Sequence, residues 1–235
     1  LPRLMAAALS LLVVGCATQL GFRLSRLHGL MAGVITAIWF EMVFYAPRVQ
    51  AETIGFSLFM GAVWLLLGRT RPLAFKDYFL AGIMLGLCVV LRAQNGPMVV
   101  LFSLYVVKLD FREKWLPLVL GGLLGICADI AANLAVGKTP LIWMWEVYWV
   151  NVVEGRASEY WTNPFYHYGE LIIVYWGFFL AAGILYLTRL GIKHYPILFW
   201  VAVLNFLIHS ALPHKEYRYV MASTGIFILL AALAM

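Results

Sequence analysis

Charge is what this sequence has least of. Asp, Glu, Lys and Arg make up 12% of its 235 residues, against 64% hydrophobic residues. A soluble domain carries roughly 25% charged residues, so the scarcity excludes an ordinary soluble fold. Cysteine is sparse too: Cys16, Cys88 and Cys127 lie far apart inside apolar segments. That spacing excludes a disulfide framework or a cysteine-ligated metal and leaves them as small hydrophobes. Apolar–polar alternation over ~10-residue segments is lacking, which excludes a transmembrane barrel. The sequence shows no internal repeat, no low-complexity tract and no nucleotide-sugar or metal motif.

What remains is a set of apolar runs, approximately 4–22, 29–46, 53–68, 78–91, 97–107, 116–136, 169–188, 196–211 and 219–235. Several approach the ~20 residues of a spanning helix, so the fold class is an all-α, polytopic integral membrane protein. Runs 78–91 and 97–107 are short for a span at about 1.5 Å per residue. Asn95-Gly96-Pro97 breaks the helix between them, and they read as a broken, re-entrant pair that enters and leaves on one side. Such breaks persist at membrane depth only where protein or a water-filled cavity surrounds them.

The net charge of +6 does not point to nucleic acid, because the basic residues are scattered between apolar runs. Ten of the seventeen Lys and Arg residues, among them Arg23, Arg69, Arg71, Lys108, Lys114 and Arg189, fall in loops assigned to one side, with only Asp77, Asp110 and Glu113 beside them. That side is expected to be cytoplasmic by the positive-inside rule. The other face holds APRVQAE, RAQNGP, LPHKEYRY and the long loop 137–170. This loop is rich in aromatics (Trp143, Trp145, Tyr148, Trp149, Tyr160, Trp161, Phe165, Tyr166 and Tyr168) that suit the membrane interface. A partly helical element along the membrane surface is expected there.

Charges within or beside membrane segments mark function by default. Arg92 follows LCVVL at a helix break and reads either as a packing partner of a carboxylate or as a cation lining a cavity. Asp129, in GICADIAANLAVG, needs a partner or water. Glu52 and Arg48 have i,i+4 spacing and read as a local pair or as walls of the same cavity. Glu41 reads as structural, and His167 as an interfacial histidine. The densest cluster is LPHKEYRYV, where His214, Lys215 and Arg218 supply two certain cations and a third possible one, with Glu216 placed to orient them. Three such donors at the membrane surface suit a phosphate, and Arg can bind one bidentately.

LPHKEYRYV resembles the His-Lys-Glu signature of the lipid-phosphate-sugar-dependent mannosyltransferases that build dolichol-linked oligosaccharides and glycosylphosphatidylinositol (GPI) precursors, and of their bacterial relatives. Within the family, the resemblance runs nearest to the enzyme of the third GPI mannose. APRVQAETIGFSLFMGAVWLLL, GLCVVLRAQNGPMVVLF, LPLVLGGLLGICADIAANLAVGKTPL and NPFYHYGELIIVYWG fall in the family's order, so the resemblance covers nearly the whole chain. One departure is Arg92-Ala93-Gln94, where the family usually has Arg-Pro.

The resemblance implies a GT-C type helical bundle (an integral-membrane glycosyltransferase class). It implies transfer, with inversion, of a hexose, with mannose the sugar expected, from a polyprenyl or dolichyl phosphate sugar to a lipid-linked acceptor. His214, Lys215, Arg218 and Arg92 would meet the donor phosphate, with Glu216, Glu52, Asp129 and His167 in support and no metal or other cofactor. The catalytic base is expected upstream of Leu1, in a first luminal loop that this chain does not include. Residues 1–235 are accordingly expected to be one transmembrane domain of a longer protein, cut at both ends. Its membrane would be the bacterial inner membrane or the endoplasmic reticulum, with the site on the periplasmic or luminal side. A transporter or scramblase of lipid-linked sugars, or a non-catalytic partner subunit, are the rival readings.

Overall fold

The computed structural model describes residues 1–108, 110–155 and 162–235. Among them are twelve α-helices: α1 (Pro2–Phe22), α2 (Arg26–Ile38), α3 (Phe40–Tyr45), α4 (Ala51–Val63), α5 (Phe75–Leu91), α6 (Gly96–Val107), α7 (Leu116–Ala135), α8 (Ile142–Tyr148), α9 (His167–Trp176), α10 (Phe178–Gly191), α11 (Pro196–Ala211) and α12 (Met221–Ala232). Among the described residues, three stretches are long and apolar enough to cross a membrane, Pro2–Phe22, Ala51–Gly68 and Arg112–Ala135. The protein is a multi-pass, all-α membrane protein. Extended pairing among the described residues is limited to one isolated bridge, Thr162 to His214.

The last helix is the centre. Every residue of α12 is buried, and a helix apolar on all sides is stable only when surrounded. α2, α4, α10 and α11 enclose it. Away from this centre, α5 and α7 cross with their backbones in contact. A Cβ on Gly82 would overlap the Leu118 carbonyl, and one on Gly121 would overlap that of Phe79. Small residues of this kind replace the hydrophobic effect as the source of helix association within lipid.

The break expected between 91 and 97 is present. Arg92 is extended (φ −160°, ψ 111°), and a 3₁₀ turn, Ala93–Asn95, follows. Pro97 then sits in the first turn of α6, where a missing N–H costs no hydrogen bond. Asn95 Nδ2 donates to the Cys88 carbonyl at 3.1 Å, capping the end of α5. A second break was not foreseen. The run 169–188 reads as one helix, yet α9 and α10 meet at 109° about Gly177, whose φ of 77° suits a residue without a Cβ.

Loop contacts sort the ends of the bundle. Arg23 donates to the Arg69 carbonyl, Tyr195 donates to the Leu20 carbonyl at 2.9 Å, and the His28 and His194 rings lie 6.3 Å apart. These gather loops of the basic side at one end. The opposite end carries the C-terminus of α5 and the N-termini of α4, α9 and the stretch leading into α12.

The aromatic loop contains the expected helical element as α8, continued by a π-helical turn, Trp149–Val153. The Trp145 ring lies tilted against those of Tyr148 and Trp149, at 5.7 and 5.8 Å, and Phe165 and Tyr166 are exposed. Tyr160 and Trp161 lie outside the described residues. Tyr168 departs from the interfacial expectation: it is fully buried, with its ring 5.9 Å from that of Phe206. Cys16 and Cys88 are buried as expected, whereas Cys127 faces outward from α7.

The glycine crossing yields a prediction. Gly121→Leu should separate α5 from α7 and lower stability by about 1–3 kcal/mol. Gly183→Ala, where a Cβ meets nothing within 4 Å, should be neutral; thermal unfolding in detergent compares the two.

Candidate functional site

Four segments bring their charges to the end of the bundle opposite the basic loops. Glu52 lies in the first turn of α4, where a carboxylate also interacts favourably with the helix dipole. Its Oε1 pairs with Arg92 Nη1 and lies 3.7 Å from Arg218 Nε. The Arg92 guanidinium also stacks 3.8 Å from the centroid of the Tyr219 ring. Arg92 thus takes the packing role open to it in the sequence, with a carboxylate on one side and an aromatic face on the other. It does not line the cavity described below.

The Arg48–Glu52 local pair, one of the two readings open in the sequence, does not form. An i,i+4 pair requires one continuous helix, but α3 ends at Tyr45 and α4 begins at Ala51. Pro47, between them, has no N–H with which to continue the ladder. Glu52 therefore pairs across the bundle with Arg92, and Arg48 instead rests 3.8 Å over the Phe44 ring.

LPHKEYRYV folds as a short connector followed by a 3₁₀ turn, Tyr217–Val220. Glu216 is its hub. Oε1 accepts from Tyr219 at 2.9 Å and Arg218 Nη2 at 3.0 Å, and His214 Nε2 lies 3.3 Å away. Arg218 Nε reaches Oε2 at 2.8 Å. Burial pushes the Glu216 carboxyl up, but the bonds from Tyr219 and His214 and the Arg218 charge outweigh it and hold it below the usual carboxylate range.

Lys215 is turned inward. Its Nζ donates to the carbonyls of Leu212 (2.6 Å) and Asn163 (2.9 Å), fastening the connector to the segment that precedes α9. Asn163 N donates in turn to the Pro213 carbonyl at 3.0 Å. Burial lowers the Lys215 pKa. An ammonium has three donors, so these two carbonyls leave one N–H for a ligand.

Arg48, Lys215 and Arg218, with Tyr45, His167 and Tyr217 among the other walls, enclose an open polar cavity of about 540 Å³. His167 pairs with Glu170 at 3.0 Å on the rim. Of the two roles open to Arg48 in the sequence, it takes that of a cavity wall. Asp129 is not brought to the cavity: α7 packs chiefly on α5, and Asn133 Nδ2 donates to its Oδ2 at 3.0 Å. The aromatic walls Tyr45, Tyr175 and Tyr217 were missed, because no residue-level signal separates them from the many interfacial aromatics.

The family model described as Alg9-like mannosyltransferase matches residues 1–235. A relative in Schizosaccharomyces pombe, named a probable Dol-P-Man:Man(7)GlcNAc(2)-PP-Dol alpha-1,6-mannosyltransferase, is 27% identical over 213 residues, covering 86% of this chain and 36% of its own. The relative's name carries a dolichol-linked acceptor rather than a GPI precursor. The fold is similar to that of ArnT from Cupriavidus metallidurans bound to undecaprenyl phosphate (TM-score 0.69, 14% identity, 99% of this chain and 45% of that one). It is similar also to the apo state of the same protein (TM-score 0.63, 16% identity, 99% and 44%). This chain therefore spans less than half the length of the relatives it matches.

The Glu52–Arg92 pair sets a stability test. Glu52→Ala leaves a largely buried guanidinium without its carboxylate and should cost about 3–5 kcal/mol, while adding Arg92→Met should recover part of the loss. Thermal shift of the purified variants in detergent checks both.

Proposed function

The chain belongs to the Alg9-like mannosyltransferase family, and on that premise we propose that the protein transfers mannose from a polyprenyl or dolichyl phosphate sugar to a lipid-linked acceptor. The observation that carries the reading is the convergence of Arg48, Lys215 and Arg218 on one polar cavity. Three cations at the membrane surface suit a phosphate that arrives on a lipid. Arg218 is the principal contact: its guanidinium is oriented by Glu216 and offers a planar fork to phosphate oxygens. Lys215 contributes its remaining N–H, and His214 and Arg92 stand behind them.

In the reaction the acceptor hydroxyl oxygen attacks the anomeric carbon from the face opposite the phosphate. The bond from that carbon to the phosphate oxygen breaks, and its electron pair leaves with the phosphate, so the configuration inverts. A carboxylate takes the hydroxyl proton. The cations stabilise the negative charge that grows on the departing phosphate, a contribution realised chiefly in the transition state. The donor is the lipid-phosphate sugar itself, with no separate cofactor. The positive-inside asymmetry favours a cavity on the luminal or periplasmic face, of the endoplasmic reticulum or a bacterial inner membrane.

Incubating the full-length protein in detergent with polyprenyl-phosphate mannose and a panel of lipid-linked acceptors should add one hexose to the glycan mass. Arg218→Ala should reduce that transfer by roughly 100-fold while membrane insertion stays intact, and Lys215→Ala should also reduce it. Normal turnover in both variants would remove the phosphate role.

A further inference from the structure

Behind the cavity lies a carboxylate that the proposed chemistry does not use. Glu41, on the short helix α3, is 1% exposed. Its Oε1 accepts from two donors that come from different parts of the chain. Trp176 Nε1 donates at 2.6 Å, and the Tyr217 hydroxyl donates as well. Trp176 is the last residue of α9, immediately before the Gly177 corner where the chain turns by 109°. Tyr217 opens the 3₁₀ turn that carries Arg218 and Tyr219.

A buried carboxylate among apolar groups is unfavourable unless hydrogen bonds compensate it, and the compensation here is one-sided. Oε2 is buried and has no hydrogen-bond partner among the described residues. Both donors share the other oxygen. Leu would fill such a space without the desolvation cost, so packing alone does not account for Glu at this position. What the carboxylate adds is a common acceptor that fixes the α9–α10 corner and the Arg218 turn to the same point. Aromatic packing surrounds it: the Trp39 and Trp176 rings cross edge-on at 5.4 Å, and those of Tyr175 and Tyr217 lie 4.7 Å apart.

We infer that Glu41 is a positioning residue for phosphate capture, holding Tyr217 and through it Arg218 at the cavity. The inference rests on the reading of that cavity as the donor-phosphate site. Glu41 lies outside the cavity wall and acts only through its neighbours, so its loss should weaken donor binding more than it slows turnover at saturating donor.

Donor kinetics of the full-length protein in detergent test this. Glu41→Ala should raise the KM for polyprenyl-phosphate mannose at least roughly tenfold, with kcat changed by less than about threefold. Glu41→Gln keeps a carbonyl acceptor for both donors and should restore KM to within about threefold of wild type. If Glu41→Ala does not fold, Tyr217→Phe removes a single hydroxyl and should raise KM in the same direction. An unchanged KM in Glu41→Ala, or in Tyr217→Phe, overturns the inference, as does a loss of kcat at constant KM shared by the Ala and Gln variants. Arg218→Ala run in parallel separates the two levels. Should it transfer normally, the donor-phosphate reading fails and the inference with it; should it fail to transfer while Glu41→Ala binds donor normally, only the inference falls.

Discussion

The polar end of this bundle depends on the Glu52 carboxylate, which sits between two arginines. With Arg92 it forms a largely buried ion pair, and Arg218 approaches its same oxygen at 3.7 Å. The largely buried Arg92 guanidinium needs that counter-charge, since an unpaired buried charge costs several kcal/mol, whereas Arg218 has Glu216 as its nearer carboxylate. The pairing joins the first turn of α4, the break after α5 and the turn that precedes α12. Tyr219 closes the arrangement from above by stacking on Arg92. Of the cavity cations, Arg218 thus touches this frame, through a Glu52 carboxylate that does not itself line the cavity.

The same rule shapes the backbone. A chain crossing lipid must satisfy its own hydrogen bonds, so each interruption needs local compensation. At the first break, Asn95 caps the Cys88 carbonyl and Pro97 occupies a position where no N–H is required. At the second, Gly177 makes the corner, and its neighbour Trp176 is tied to Glu41. Both interruptions occur at the end where the charges gather. The crossing of α5 with α7 follows a different rule, glycine packed against backbone.

The sequence made the all-α membrane class legible, because scarcity of charge and run length are properties of composition and need no tertiary information. The break at 92–97 was legible for a similar reason, through Asn-Gly-Pro. Gly177 was not, since a lone glycine in an apolar run looks the same whether the helix continues or turns. LPHKEYRYV announced itself by charge density, but the inward turn of Lys215 onto two carbonyls depends on Asn163, fifty-two residues away. Arg92 was visible as an unusual charge, but its partner was not: the i,i+4 spacing of Arg48 and Glu52 offered a local pair as one of two readings, and that reading required one helix to hold both. Tyr168 was grouped with interfacial aromatics because burial against Phe206 leaves no local trace.

The measurement that bears most directly on the account is a structure of the full-length protein with polyprenyl phosphate bound. The account predicts the phosphate in the cavity between Arg48, Lys215 and Arg218, with its oxygens within about 3 Å of the Arg218 guanidinium. A phosphate seated at the other end of the bundle, among the loops of Arg23 and Arg69, would contradict it.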